Sequence, residues 1–131
     1  MPRWLFKEEP SHYSFADLER DGSTKWEGVK NPLAGKYLRA VKRGDRIFLY
    51  HTGKEKAVVG EMRAKSAGDG VVTVVPVTRL KRPVTLAEIK AEKSLAKWEL
   101  VRISRLSVMP VSDAIWKKIE AMAAGNSGRG A

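Results

Sequence analysis

Residues 44–80, GDRIFLYHTGKEKAVVGEMRAKSAGDGVVTVVPVTRL, decide the fold class. Up to Gly44 apolar residues recur at helical spacing, but from Arg46 onward the period falls to two and β-branched residues accumulate. Arg46 to His51 predicts one strand, Ala57 to Lys65 a second after the turn at Gly53-Lys54-Glu55, and Val71 to Leu80 a third after Gly68-Asp69-Gly70. Such short connections predict antiparallel neighbours. Pro76 has no N–H to give to a ladder, so it predicts an edge position or a bulge in the third strand.

Helices and a further strand surround this block. Arg3 to Lys7, with Trp4 and Phe6 alternating against basic residues, predicts a first strand ending at Glu8-Glu9-Pro10. Ser14 and Asp17 have the spacing of a capping box, opening a short helix that buries Phe15 and Leu18 before Arg20-Asp21-Gly22. Asn31 followed by Pro32 starts a second helix, whose apolar positions Leu33, Tyr37, Leu38 and Val41 run until Gly44. Thr85 and Glu88 repeat the box for a helix through Ala91, and Leu100 to Val108 is apolar enough to predict one or two more strands. Ser112 caps a last helix with Ile115, Trp116, Ile119 and Met122 on one face, which assigns Trp116 to the core. Central strands with helices between and around them predict an α+β fold, a small barrel whose sheet is closed or strongly curved to protect its edges.

A chain of 131 residues with 43% hydrophobic content suffices for one core. A domain over 1–124 and a flexible tail over 125–131, GNSGRGA, are expected. The absence of cysteine removes disulfides, thiolate metal sites and cysteine nucleophiles. No apolar stretch reaches the roughly 18 residues of a membrane helix, and Met1-Pro2-Arg3-Trp4 leads into no apolar h-region followed by small residues, so export is not expected. A soluble cytoplasmic protein is expected, nuclear if the source is eukaryotic, with a monomer as the default. The 25 Lys+Arg against 15 Asp+Glu give a net charge of +10, which favours polyanions through counterion release. These cations are spread from Arg3 to Arg129, which suits a broad phosphate-facing surface better than an amphipathic membrane helix.

Catalytic patterns are thin. His12 and His51 have no nucleophile elbow near them, and Glu8-Glu9-Pro10-Ser11-His12 lacks a recognised metal-ligand spacing. Gly35-Lys36 lies within a helix and Gly53-Lys54 lacks the context of a phosphate loop. No catalytic residue, metal or cofactor is therefore expected. What stands out is a set of aromatic and small polar residues in segments that read as loops or strand ends: Tyr13, Trp26, Tyr50, His51 and the run Arg105 to Val111. Aromatics so placed are suited to stacking a base.

Five pieces carry a family resemblance: WLFKEEP at 4–10 with Tyr13-Ser14 and Asp17-Leu18, WEGVKN at 26–31, Gly44-Asp45 leading to Tyr50-His51, RPVTL at 82–86, and RLSVMPV at 105–111. In this order, across nearly the whole chain, they resemble the EVE domain. That resemblance implies a PUA-like β-barrel with flanking helices, related to YTH and ASCH domains, and a pocket for a modified base of DNA or RNA, such as methylated or hydroxymethylated cytosine. The sequence departs from the family at Glu8 (Ser in the family), Lys30 (Arg), Thr52-Gly53 (Ser-Asn) and Met109 (often Gln).

Matching by motif, the resemblance implies a pocket formed by Glu9, Pro10, Trp26, Val29, Asn31, Tyr50, His51, Arg105, Leu106, Ser107, Met109 and Pro110. Tyr50, His51 and Ser107 are expected to meet around a concavity containing Trp26. Lys30, Lys36 and Arg39 are the candidates for phosphate contacts. The nucleic-acid partner is expected to be recognised without turnover. Two other classes compete: an enzyme acting on a modified nucleotide, with Glu9 or His51 as acid or base, and a basic module for an acidic protein.

Overall fold

The computed structural model describes residues 2–125, so the expected tail lies, apart from Gly125, outside the described residues. In chain order the elements are β1 (Arg3–Glu8), α1 (Phe15–Asp21), β2 (Thr24–Trp26), α2 (Pro32–Ala40), β3 (Arg46–His51), β4 (Ala57–Gly68), β5 (Val71–Thr85), α3 (Leu86–Ala91), a 3-10 turn (Lys93–Leu95), α4 (Glu99–Arg102), β6 (Val108–Val111) and α5 (Asp113–Ala123). One mixed sheet runs in the order β2-β5-β4-β3-β1-β6. Among the described residues, only β1 and β3 pair in parallel. Among the described residues no helix is long and apolar enough to cross a membrane.

The sheet curls into a half-barrel. β1 and β2 are four ladder steps apart, about 19 Å on a flat sheet at about 4.8 Å per step. Yet Phe6 of β1 and Trp26 of β2 place their ring centroids 5.3 Å apart. Curvature is eased where the β4–β5 register shifts, as between Glu61 and Met62, which stands opposite Pro76. The bulge expected from Pro76 is present, and Pro76 also lies past the end of the β2 pairing at Val74. α2 packs against β6, an edge strand, and against β5 near the opposite edge.

β3 buries both faces, which is why all five residues from Ile47 to His51 are buried although the strand belongs to a mixed sheet. Trp4, Phe6, Ile47 and Leu49 fill the concave side, while Leu5 and Phe48 point to the convex side, where Phe48 stacks on Trp116 of α5. Both capping boxes form, and Asn31 and Ser112 accept from Ala34 N and Ile115 N at 2.9 and 3.2 Å. A buried Asp45 ties the concave side to the β3 entrance, its Oδ2 accepting from Trp4 Nε1 and Lys42 N, each at 2.9 Å.

Two expectations need correction. Leu100 to Val108 is not strand: Leu100 and Val101 lie in α4, and β6 begins only at Val108. Leu100, Ile103 and Leu106 recur every three residues, so local bonds such as Ile103 N to Glu99 O at 2.8 Å satisfy the backbone in a helical turn. Trp26 lies at a strand end, one of its two expected placements, paired with Val72. The second helix stops at Ala40, because Val41 is already extended, and Gly44 instead takes the left-handed φ of 92° that turns the chain into β3.

Gly60 marks a close approach within the core. A Cβ there would fall 2.5 Å from the buried ring of Phe15. Gly60→Ala should therefore destabilise the fold by roughly 1–3 kcal/mol through overpacking, readable as a lower midpoint in thermal or urea unfolding.

Candidate functional site

Where β1 leaves the sheet, a cavity of about 430 Å³ opens between it, the end of β2 and the segment before β6. Three features assemble it. The β1 backbone binds the pre-β6 segment through Lys7 N to Ser107 O at 2.9 Å, which sets Ser107 on the rim beside Lys7 and Glu8. The curl brings Trp26 across from β2, with one side of its ring against Phe6. Gly28, at φ 70°, then turns the chain so that Val29 returns to the same wall. Tyr13 completes it, held by its hydroxyl donating to Asp21 Oδ2 at 2.9 Å. Trp26 is 8% exposed, so it is both a core residue and a cavity wall.

The polar lining is mixed in sign. Glu8 Oε2 and His12 Nδ1 are 2.7 Å apart, so this carboxylate sits in the cavity with a ring nitrogen beside it. Lys7 is half-buried, its Nζ donating to Ser104 O at 3.0 Å, and burial pulls its pKa below the ordinary lysine value. Most carboxylates elsewhere are occupied by arginines: Asp113 by Arg3, Asp17 and Asp21 by Arg20, Glu61 and Glu120 by Arg46, Glu19 by Arg79, Glu88 by Arg82. The surplus charge therefore resides largely on lysines. Lys30, next to Val29, and Lys36 and Arg39 on α2 are exposed and form no ion pair among the described residues.

Of the twelve pocket residues expected from sequence, Trp26, Val29 and Ser107 line this cavity. Tyr50 does not. It faces a second cavity, of about 290 Å³, on the other side of Lys7. His51 is buried and structural: its Nε2 accepts from Phe15 N at 3.1 Å, which leaves the ring proton on Nδ1 to donate to Glu55 Oε1 at 2.7 Å. The expected meeting of Tyr50, His51 and Ser107 around Trp26 does not occur, because Lys7 stands between the two cavities and His51 clips α1 to the end of β3.

The remaining residues are also placed elsewhere. Glu9 accepts from Ser11 N at 2.8 Å, a bond that holds its carboxyl below the ordinary value, while Pro10 only leads the chain into the turn. Asn31 uses its Oδ1 in the helix cap and does not line the cavity. Leu106 and Met109 are core residues, Met109 because β6 alternation turns it, opposite Leu5, to the convex side. Arg105 is exposed outside the cavity, and Pro110 gives its carbonyl to Trp98 Nε1 at 3.3 Å. Lys7 and Glu8 line the cavity but carry no signal in the sequence, whereas Tyr13, outside the motif-matched twelve, stands among the aromatic residues suited to stacking. Lys7 and Glu8 adjoin the Glu9-Pro10 motif, and strand alternation alone does not say which face a terminal residue opens onto.

Known proteins bear on this geometry. The EVE domain family profile matches residues 2–70 and 63–122. Thymocyte nuclear protein 1 of Gallus gallus is 39% identical over 69 residues, 44% of this chain and 28% of that protein. The chain thus spans less than a third of that relative's length. Rpa0253 from Rhodopseudomonas palustris superposes with TM-score 0.89 at 36% identity, covering 95% of this chain and 94% of that one. Human THYN1 in complex with 5-methylcytosine-containing DNA superposes with TM-score 0.86 at 26% identity, covering 94% and 98%. With the family pattern matched over nearly all described residues and the half-barrel shared along the full length, the chain belongs to the EVE domain family.

Proposed function

We propose that this chain binds nucleic acid as a reader of modified cytosine in DNA, taking the base into the cavity walled by Trp26. The observation that carries the reading is the cavity itself, an aromatic and aliphatic wall (Trp26, Tyr13, Val29) facing hydrogen-bonding groups (Glu8, Ser107) beside unpaired cations. At about 430 Å³ it lies in the size range of small-ligand pockets, roughly 300–1,000 Å³. The complex of human THYN1 with 5-methylcytosine-containing DNA, on the same fold, supports the same ligand class. A carboxylate such as Glu8 is the acceptor that suits the exocyclic amine of cytosine. A 5-methyl group returns only about 0.8 kcal/mol on burial, so stacking, at about 1–3 kcal/mol per base, and polar contacts supply most of the capture energy. Preference for the mark then comes from how Val29 and the Trp26 edge fit the methyl.

Binding without turnover is the reading favoured over catalysis, since both candidate acid–base groups have other work. His51 is committed at both ring nitrogens, and Glu9, held below its ordinary pKa by the Ser11 N–H, is shifted away from the range of a general base at neutral pH. The test is a binding screen of matched DNA and RNA oligonucleotides carrying unmodified, 5-methyl and 5-hydroxymethyl cytosine at fixed salt. A reproducible preference for a modified DNA strand is expected; equal affinity for all members overturns the reading. The same strands should bind at least tenfold more weakly at about 200 mM than at about 50 mM salt, with a log-log slope near 0.7 per phosphate contact on single strands and 0.9 on duplex.

A further inference from the structure

The second cavity, between the end of β3, α3 and α4, is not absorbed by the base-reading site and has a different chemistry. Three lysines, Lys7, Lys56 and Lys90, line it with no carboxylate among its lining residues, while Leu86, Leu100 and Val101 form an apolar wall. The cavity beside Trp26, by contrast, includes Glu8 and Glu27. Among the described residues, Lys56 and Lys90 take part in none of the ion pairs.

Tyr50 is an independent pointer to a ligand. It is 3% exposed, lines this cavity, and its hydroxyl makes no hydrogen bond among the described residues. The hydroxyl is not fully enclosed: it opens onto the cavity, where it can donate to or accept from a ligand. Lys56 adds a third observation. It holds a left-handed φ of 47°, unusual for a side chain of this size, with its carbonyl accepting from Leu86 N at 2.7 Å. The residue closes the turn over Gly53, Lys54 and Glu55, which sets it beside the cavity.

From the lysines, the unpaired hydroxyl and the apolar wall together, we infer that this cavity binds the phosphoryl group of a nucleotide, with the attached sugar against Leu86, Leu100 and Val101. The inference rests on reading the chain as a nucleic-acid binder, and Lys7, lining both cavities, makes the occupant a neighbour of the captured base. Tyr50 donates to a phosphate oxygen and the ammonium groups neutralise its charge. Burial pushes the Tyr50 phenol up to about 12, so it stays a donor at any physiological pH.

The test uses the whole chain, isotope-labelled, titrated by NMR with deoxycytidine 5′-monophosphate, deoxycytidine and inorganic phosphate. The monophosphate and inorganic phosphate should shift Gly53, Lys56, Leu86 and Lys90 amides, and deoxycytidine should not. Tyr50→Phe removes only a hydroxyl with no intramolecular partner, so the protein should fold as before and bind the monophosphate at least about tenfold more weakly. Lys90→Gln should lower the log-log salt slope on a single strand by about 0.7. No shift of these amides by the monophosphate, or full affinity in Tyr50→Phe, overturns the inference. Shifts confined to the Trp26 cavity overturn it while leaving base reading intact, and loss of modified-base preference with these shifts retained sinks base reading alone.

Discussion

Replacing Trp26 by alanine should weaken binding of the preferred modified strand by about 1–3 kcal/mol, roughly five- to 150-fold, and much less for an unmodified strand, so that discrimination collapses. The salt slope should stay nearly unchanged, because no phosphate contact is removed. Trp26 has two roles, packing on Phe6 with ring centroids 5.3 Å apart and walling the cavity, so the alanine variant also loses core packing. A buried tryptophan cut to alanine costs about 3–5 kcal/mol of stability, a large part of the roughly 5–15 kcal/mol a domain possesses. Thermal unfolding of the variant must therefore accompany the binding measurement. Trp26→Phe separates the two roles, keeping an aromatic ring on Phe6 while shrinking the wall. A folded Trp26→Ala or Trp26→Phe protein that keeps full preference for the modified strand would show that the base is read elsewhere.

The largest purely structural effect is expected at Trp116. Its ring stacks on Phe48 at 3.6 Å and 8° between planes, with the guanidinium groups of Arg46 and Arg3 at 4.9 and 5.6 Å from its centroid. Trp116→Ala removes the buried surface that fastens α5 to the convex face and strands the Arg46–Glu61 pair beside a void. A loss of about 3–5 kcal/mol is expected, with the midpoint of thermal unfolding falling by on the order of 10 °C or more. Trp116 lies on the opposite face of the sheet from the cavity, so whatever fraction stays folded should retain its preference among DNA ligands. Two tryptophans of one small domain should thus fail differently, one in recognition and one in stability.

Much of the architecture was legible locally. Capping residues at Ser14, Asn31, Thr85 and Ser112 act on backbone groups within three positions of themselves, and those helices begin where the sequence puts them. Strands over Arg46–His51 and Ala57–Gly68, and the bulge at Pro76, are likewise local consequences of strand propensity, short turns and a missing donor, although β3 buries both faces rather than alternating. The stretch from Leu100 to Val108 is a short apolar run compatible with either period, and hydrogen bonds within α4 decide it for helix.

By itself the sequence determined the fold class, the family and the excess of positive charge, because each is written in spacing, motif order and composition. Which motif residues share a cavity was decided only by tertiary structure. Trp26 and Ser107 meet because the sheet curls and Lys7 N binds Ser107 O, contacts spanning up to 100 residues of chain. Tyr50 and His51 are adjacent in the same motif, yet one opens onto a lysine-lined cavity and the other is consumed by Phe15 N and Glu55. Successive strand residues point to opposite faces, and what lies on each face is supplied by distant parts of the chain.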